Sequence, residues 1–143
     1  MGKYDCLKIE NQLCFPLYAC AKEVVRKYTP LLEKLDLTYT QYIAMMVIWD
    51  SEEINVKELG KRLFLDSGTL TPLLRKLESK GYVTRRRSEE DERNLIVTVT
   101  PEGRKLRDEA LSVPQKIACT MALDQEEAMT LYRLLYKILG AVN

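Results

Sequence analysis

Hydroxyl and cationic side chains crowd into one part of this chain, in an order suited to contact with DNA. In the run Leu65-Asp66-Ser67-Gly68-Thr69-Leu70-Thr71-Pro72-Leu73-Leu74-Arg75-Lys76-Leu77, small hydroxyl residues open a helical pattern whose later turns carry Arg75 and Lys76. A helix of this kind brings its N-terminal end to base edges, while its flanking cations meet phosphates. Ser67, Thr69 and Thr71 are placed to touch bases or phosphates, Arg75 to reach the groove, and Lys76 and Lys80 to contact phosphate. Downstream lies the charged stretch Arg85-Arg86-Arg87-Ser88-Glu89-Glu90-Asp91-Glu92-Arg93 between two strand-like runs. The three arginines alternate across a strand, so one face of them, represented by Arg86, can meet DNA. Arg93, at the tip of the hairpin, suits an A·T-rich minor groove, with an ion pair to Asp91 as its other role.

Charge supports this placement. The formal net charge is only +1. From Lys57 to Arg87, however, nine cations stand against three anions, and the remainder of the chain is acidic. A basic middle with acidic flanks concentrates the attraction for phosphate.

A second kind of chemistry could reside in sulfur. The four cysteines are Cys6, Cys14, Cys20 and Cys119, and the chain contains no histidine. Their spacing fits no zinc pattern, so neither a metal nor another cofactor is expected. Cys14 lies in the apolar string Leu13-Cys14-Phe15; such a cysteine is either a small core residue or a thiol in a greasy setting. Cys6 belongs to a loose N-terminus and Cys20 to a core stripe.

Nine helical or extended segments position these groups. Residues 8 to 28 read as a helix with two adjacent apolar stripes, kinked at Pro16 or starting late because of it. Thr29-Pro30 should end that helix, with a short piece from Leu31 to Leu35 following. Thr38 and Gln41 form a capping box that opens the next helix, which runs to about Trp49. Asn55 or a residue near it starts a short helix with Leu59 and Leu63 inward. The hydroxyl-rich helix begins either at Asp66 or Ser67, with Pro72 in its second turn, or at Thr71, with Pro72 as its first helical residue. It ends near Lys80, with Gly81 as the stop. Residues 82–88 and 94–100 form a hairpin. Thr100-Pro101 opens a helix to about Ser112, and a last helix spans about Asp124 to Leu139.

At 143 residues the chain has the length of one domain. The expected fold is mainly α with a small β-wing, a winged helix-turn-helix. The lobe from 38 to 100 carries DNA, and the outer helical segments 8–28 and 101–142 bury their faces against a second copy. No apolar run approaches the roughly 20 residues of a membrane span. The N-terminus lacks a secretory pattern, and Cys6 stands where a myristoylation motif wants Ser or Thr. A cytoplasmic protein with reduced thiols and no membrane partner is expected.

Four strings carry a resemblance to a known family: Glu10-Asn11-Gln12-Leu13-Cys14-Phe15, Leu37-Thr38-Tyr39 with Gln41-Tyr42, Leu65 to Pro72, and Arg87-Ser88 with Asp91-Glu92-Arg93. Together they resemble the organic hydroperoxide resistance regulators, a branch of the dimeric MarR-family winged-helix repressors, over residues 8 to 140. The resemblance implies a homodimer that holds double-stranded operator DNA when reduced and releases it when organic hydroperoxide oxidises Cys14. It implies tyrosines near the thiol, matching Tyr28 and Tyr39, and in two-cysteine members a resolving thiol in the other subunit, for which Cys119 stands in the corresponding region. The alternative is a MarR-type regulator released by a small aromatic ligand. A cysteine peroxidase would leave the basic wing without purpose, so no enzyme activity is expected.

Overall fold

The computed structural model describes residues 1–140. They fall into two compact units, Met1–Val113 and the unit that begins at Pro114.

The first unit opens with two single 3-10 turns, Asp5–Leu7 and Ile9–Asn11, and then a 20-residue helix, α1 (Cys14–Glu33). Pro16 is the third residue of α1, where the missing N–H has no helical partner to lose. The helix thus starts late, without a kink at this proline. Contrary to expectation, Thr29-Pro30 does not end α1: it runs on to Glu33 and absorbs the expected piece from Leu31. Leu32, just beyond the proline and 1% exposed, anchors the last turn in the core.

A turn with Asp36 at φ +55° leads into α2 (Tyr39–Ser51). The capping box is present: the Gln41 amide donates to Thr38 Oγ1 at 3.2 Å, and the Thr38 amide donates to Gln41 Oε1 at 3.1 Å. Helix α2 is apolar on most of its circumference, with Tyr42, Ala44, Met45, Val47, Ile48 and Trp49 all buried. A helix of that kind belongs at the centre of a lobe.

Around it lie β1 (Glu53–Asn55), α3 (Val56–Leu63), α4 (Ser67–Ser79), β2 (Val83–Arg87), β3 (Leu95–Val99) and α5 (Pro101–Glu109). The expected hairpin is β2–β3, antiparallel, with Val83 opposite Val99 and Arg87 opposite Leu95. A third strand, not anticipated, completes the sheet in the order β1-β3-β2, with Ile54 opposite Val97. Leu59 of α3, Leu70, Leu74 and Leu77 of α4, and Val83, Val97 and Val99 of the sheet close the core. This is a winged helix-turn-helix.

Helix α6 (Val113–Ala118) straddles the boundary between the units, and α7 (Gln125–Leu139) follows. Asp124 caps α7 by a reciprocal box with Glu127. Its apolar residues Leu131, Leu134 and Ile138 are exposed. Residues 141–142 of the expected dimerisation segment lie outside the described residues.

Gly103, in the first turn of α5, shows how tightly α5 sits on the wing. Its carbonyl accepts the buried Trp49 indole N–H at 2.7 Å. A Cβ at this position would stand 2.2 Å from the Tyr82 carbonyl oxygen and 2.9 Å from Val99 Cγ2. Gly103→Ala is therefore expected to destabilise the fold by about 3 kcal/mol, in the upper part of the overpacking range. A lowered urea midpoint at unchanged m-value checks this.

Candidate nucleic-acid interface and thiol site

Asp66 decides where α4 begins. Its Oδ1 accepts the Thr69 amide at 2.8 Å, the bond that a helix N-cap requires. Pro72 then lies inside the helix. It contributes no N–H to the Gly68 carbonyl, and Gly68 is itself exposed in the first turn. Leu70, Leu73, Leu74 and Leu77 face the core. Ser67, Thr69, Thr71, Arg75 and Lys76 are all exposed, on the remaining surface of α4. The Thr71 hydroxyl donates to the Ser67 carbonyl at 2.8 Å, so its proton is committed and its oxygen remains available as an acceptor. Arg75 and Lys76 have no ion-pair partner among the described residues.

Lys80 is in a different situation. As the C-cap of α4 it turns back into the protein, where its Nζ donates to Gln41 Oε1 at 3.1 Å and to the Asp36 carbonyl, with the Asp36 carboxylate 3.6 Å away. Expected at a phosphate, it instead fastens the end of the helix to the turn before α2. The arginines of the wing are also engaged. Arg85 pairs with Glu78 of α4 through Nη2 at 3.0 Å and Nε at 3.2 Å, and the Arg85 amide donates to the same carboxylate. Arg86 Nη2 reaches Glu53 of β1 at 2.7 Å, although more than half of its surface stays open. Arg87 Nη1 donates to the Glu92 carbonyl. Both paired carboxylates are held below their usual acidity range, Glu78 by its hydrogen bond from Arg85 and Glu53 by that from Arg86.

Arg93 is the exception. Its amide donates to Asp91 Oδ1 at 3.0 Å, which shapes the wing tip, but its guanidinium is 3.8 Å from that carboxylate and its side chain is 95% exposed. The candidate interface is therefore the open face of α4 together with the Arg93 tip. The engaged cations Lys80, Arg85 and Arg86 fix the angle between them. Sequence pattern alone did not separate the two groups, because only the three-dimensional positions of Asp36, Glu53 and Glu78 do so.

The thiol site is divided along α1. Cys14 is its first residue, a free and exposed cysteine. Tyr28 lies 14 residues on, about 20 Å away at 1.5 Å per residue. There it packs with Tyr39 and Tyr42 of α2, at ring-centroid distances of 4.9 and 5.7 Å. Burial raises the pKa of all three phenols, so at neutral pH they remain protonated donors. Cys6, Cys20 and Cys119 are also free and exposed. Cys20 is thus not part of a core within one chain, and neither is the Leu13–Leu17–Val25 side of α1.

The Asp66 carboxyl is held below its ordinary value of 3.8, first by accepting the Thr69 amide. A group with a depressed folded-state value contributes stability above its unfolded value and loses it as pH falls through the folded one. Asp66→Ala should therefore be less stable than the parent near neutrality, and the gap should narrow on acidification below about pH 4. Hydrogen exchange at the Thr69 amide should accelerate in Asp66→Ala and be restored in Asp66→Asn, which keeps the capping oxygen.

Comparisons with known proteins agree with this geometry. The family described as transcriptional regulator SarA/Rot matches residues 26–110. The organic hydroperoxide resistance transcriptional regulator of Bacillus subtilis (strain 168) is 44% identical over 142 residues, covering 99% of this chain and 97% of its own. The regulator SarZ of Staphylococcus haemolyticus is 47% identical over 132 residues, covering 92% and 90%. Among solved structures, reduced AbfR bound to DNA superposes with a TM-score of 0.80 at 29% identity, covering 97% of each chain.

Proposed function

This chain belongs to the organic hydroperoxide resistance regulators of the MarR family, and we propose that it is a redox-sensing repressor whose signal is received at Cys14. The observation that carries the proposal is the arrangement of α1: an exposed thiol at one end and a packed cluster of protonated phenols at the other. Within one chain they are about 20 Å apart on a continuous helix. A two-fold dimer with antiparallel α1 helices brings Tyr28 and Tyr39 of the partner to Cys14. The same pairing covers Phe15, Leu17 and Tyr18, which a single chain leaves exposed. In the reduced dimer two α4 helices, spaced near one turn of DNA, enter successive major grooves of a double-stranded operator.

A thiolate attacks a hydroperoxide; a thiol does not. Hydrogen bonds from the two phenols favour the anion. The sulfur attacks the outer peroxide oxygen, the O–O bond breaks, and the alcohol leaves as Cys14 becomes a sulfenic acid. A second thiol then condenses with it to give a disulfide and water. Cys119 of the other subunit is the proposed second thiol, which makes this a two-cysteine sensor. The tyrosines lose their anion, α1 shifts, and the spacing of the two α4 helices departs from the DNA repeat. In the cytosol thiol reductants reverse the disulfide. The apolar neighbours Leu13, Phe15 and Leu17 favour alkyl hydroperoxides over hydrogen peroxide.

The test uses a duplex located by footprinting with reduced protein. Cumene hydroperoxide should release the parent but not Cys14→Ser, whose reduced-state affinity stays the same. Release of Cys14→Ser by peroxide would end the redox proposal, whereas release of both proteins by small phenols would favour a ligand-gated regulator. Tyr28→Phe and Tyr39→Phe should each raise the pH at which Cys14 becomes reactive. Cys119→Ser should abolish the disulfide-linked dimer band on a non-reducing gel.

A further inference from the structure

An open groove of about 850 Å³ runs between α3, the start of α4 and the wing tip. Lys57 and Lys61, four residues apart and so on one face of α3, stand on one side, and Arg93 and Asn94 on the other. Neither lysine ammonium has an ion-pair partner among the described residues. The groove also holds two carboxylates: Asp66 accepts the Thr69 amide and Asp91 the Arg93 amide, with the Arg93 guanidinium 3.8 Å from Asp91. The floor includes Phe64, a half-exposed aromatic in the left-handed region at φ +56°. The walls are held at a fixed separation. Asn55, the N-cap of α3, accepts the Lys57 amide at 2.7 Å and donates its own side-chain N–H to Asn94 Oδ1 at the base of the wing.

We infer that this groove is a cradle for one sugar–phosphate strand of the operator, with Lys57 and Lys61 as its phosphate contacts. The inference rests on the proposed DNA-binding function and extends it to residues outside the recognition helix. The physical argument concerns what lies between two neighbouring grooves of a duplex. If α4 occupies the major groove and Arg93 the adjoining minor groove, the two elements straddle a single backbone, and the concavity between them must receive it. The concavity is present, its three cations outnumber its two carboxylates, Lys57 and Lys61 are unpaired among the described residues, and its apolar floor accepts the deoxyribose faces. The Asn55–Asn94 bridge forms the cradle before DNA arrives, so little ordering is needed on binding.

Contacts to phosphate weaken all sequences equally when removed, and they report through salt. Affinity of the reduced protein is measured against sodium chloride concentration on the footprinted duplex and on an unrelated one. Lys57→Gln and Lys61→Gln should each flatten the slope of log K against log salt by about one, and the double variant by about two. The affinity ratio between the two duplexes and the thermal melting of each variant should stay those of the parent. Slopes unchanged in both single variants overturn the cradle while leaving the regulator intact. A loss confined to the footprinted duplex also overturns it, since that is base reading. Saturable binding of benzoate that is lost in the variants, with DNA slopes unchanged, assigns the groove to an aromatic carboxylate instead. A parent protein that ignores both duplexes overturns the cradle and the proposed function together.

Discussion

The side-chain amide of Gln41, 4% exposed, joins three parts of the winged lobe. Its oxygen accepts the Thr38 amide and the Lys80 ammonium, each at 3.1 Å, while Lys80 also holds the Asp36 carbonyl. The end of the recognition helix, the turn after α1 and the start of α2 are therefore fastened at one point. A buried acceptor left without its donors costs about 1–3 kcal/mol, so the arrangement is strongly specified. Tyr39 and Tyr42 lie on the same stretch of α2 as Gln41, and their rings meet Tyr28 of α1. The aromatic cluster and the far end of α4 thus share one part of one helix. A displacement of α1 at the tyrosines, as proposed on oxidation, would act on the segment that also anchors α4.

The basic residues divide by whether a carboxylate or carbonyl lies within reach. Arg85 braces the wing against α4 through Glu78, Arg86 ties β2 to β1 through Glu53, and Lys80 closes the Gln41 junction. Arg62 reaches Ser51 and, at 3.8 Å, Asp50. Lys57, Lys61, Arg75 and Lys76 keep their charge toward solvent, and Arg93, although 3.8 Å from Asp91, is 95% exposed. A candidate DNA interface of this kind would use both sets, free charge to attract phosphate and committed charge to keep the attracting surfaces at a fixed angle.

Elements defined by local chemistry were legible from the sequence. Thr38 with Gln41, Asn55, Thr100 before Pro101 and Asp124 each start a helix through a side-chain oxygen and nearby amides, and such signals need no tertiary context, whereas Pro72 leaves the choice of Asp66 over Thr71 at the start of α4 open. Features decided at long range were not. Pro30 costs α1 one hydrogen bond and a clash, but burial of Leu32 outweighs the interruption. Strand β1 has three residues and exists because β3 offers it a ladder, with Glu53 opposite Thr98. The commitments of Lys80 and Arg86 depend on partners 39 and 33 residues away.

The fate of Cys20 turns on the number of chains. Its helical stripe reads as core, and within one chain it is exposed. Both descriptions hold if the stripe is a core completed by a second copy, and the same condition applies to Cys14. A straight 20-residue helix cannot bring its own first residue to its fifteenth, so a thiol that depends on those phenols depends on another subunit. An isolated chain would then lack the sensing environment as well as the second recognition helix. On the proposed reading, the assembly that doubles the DNA contact is also the one that makes the sulfur reactive, and neither property would arise without the other.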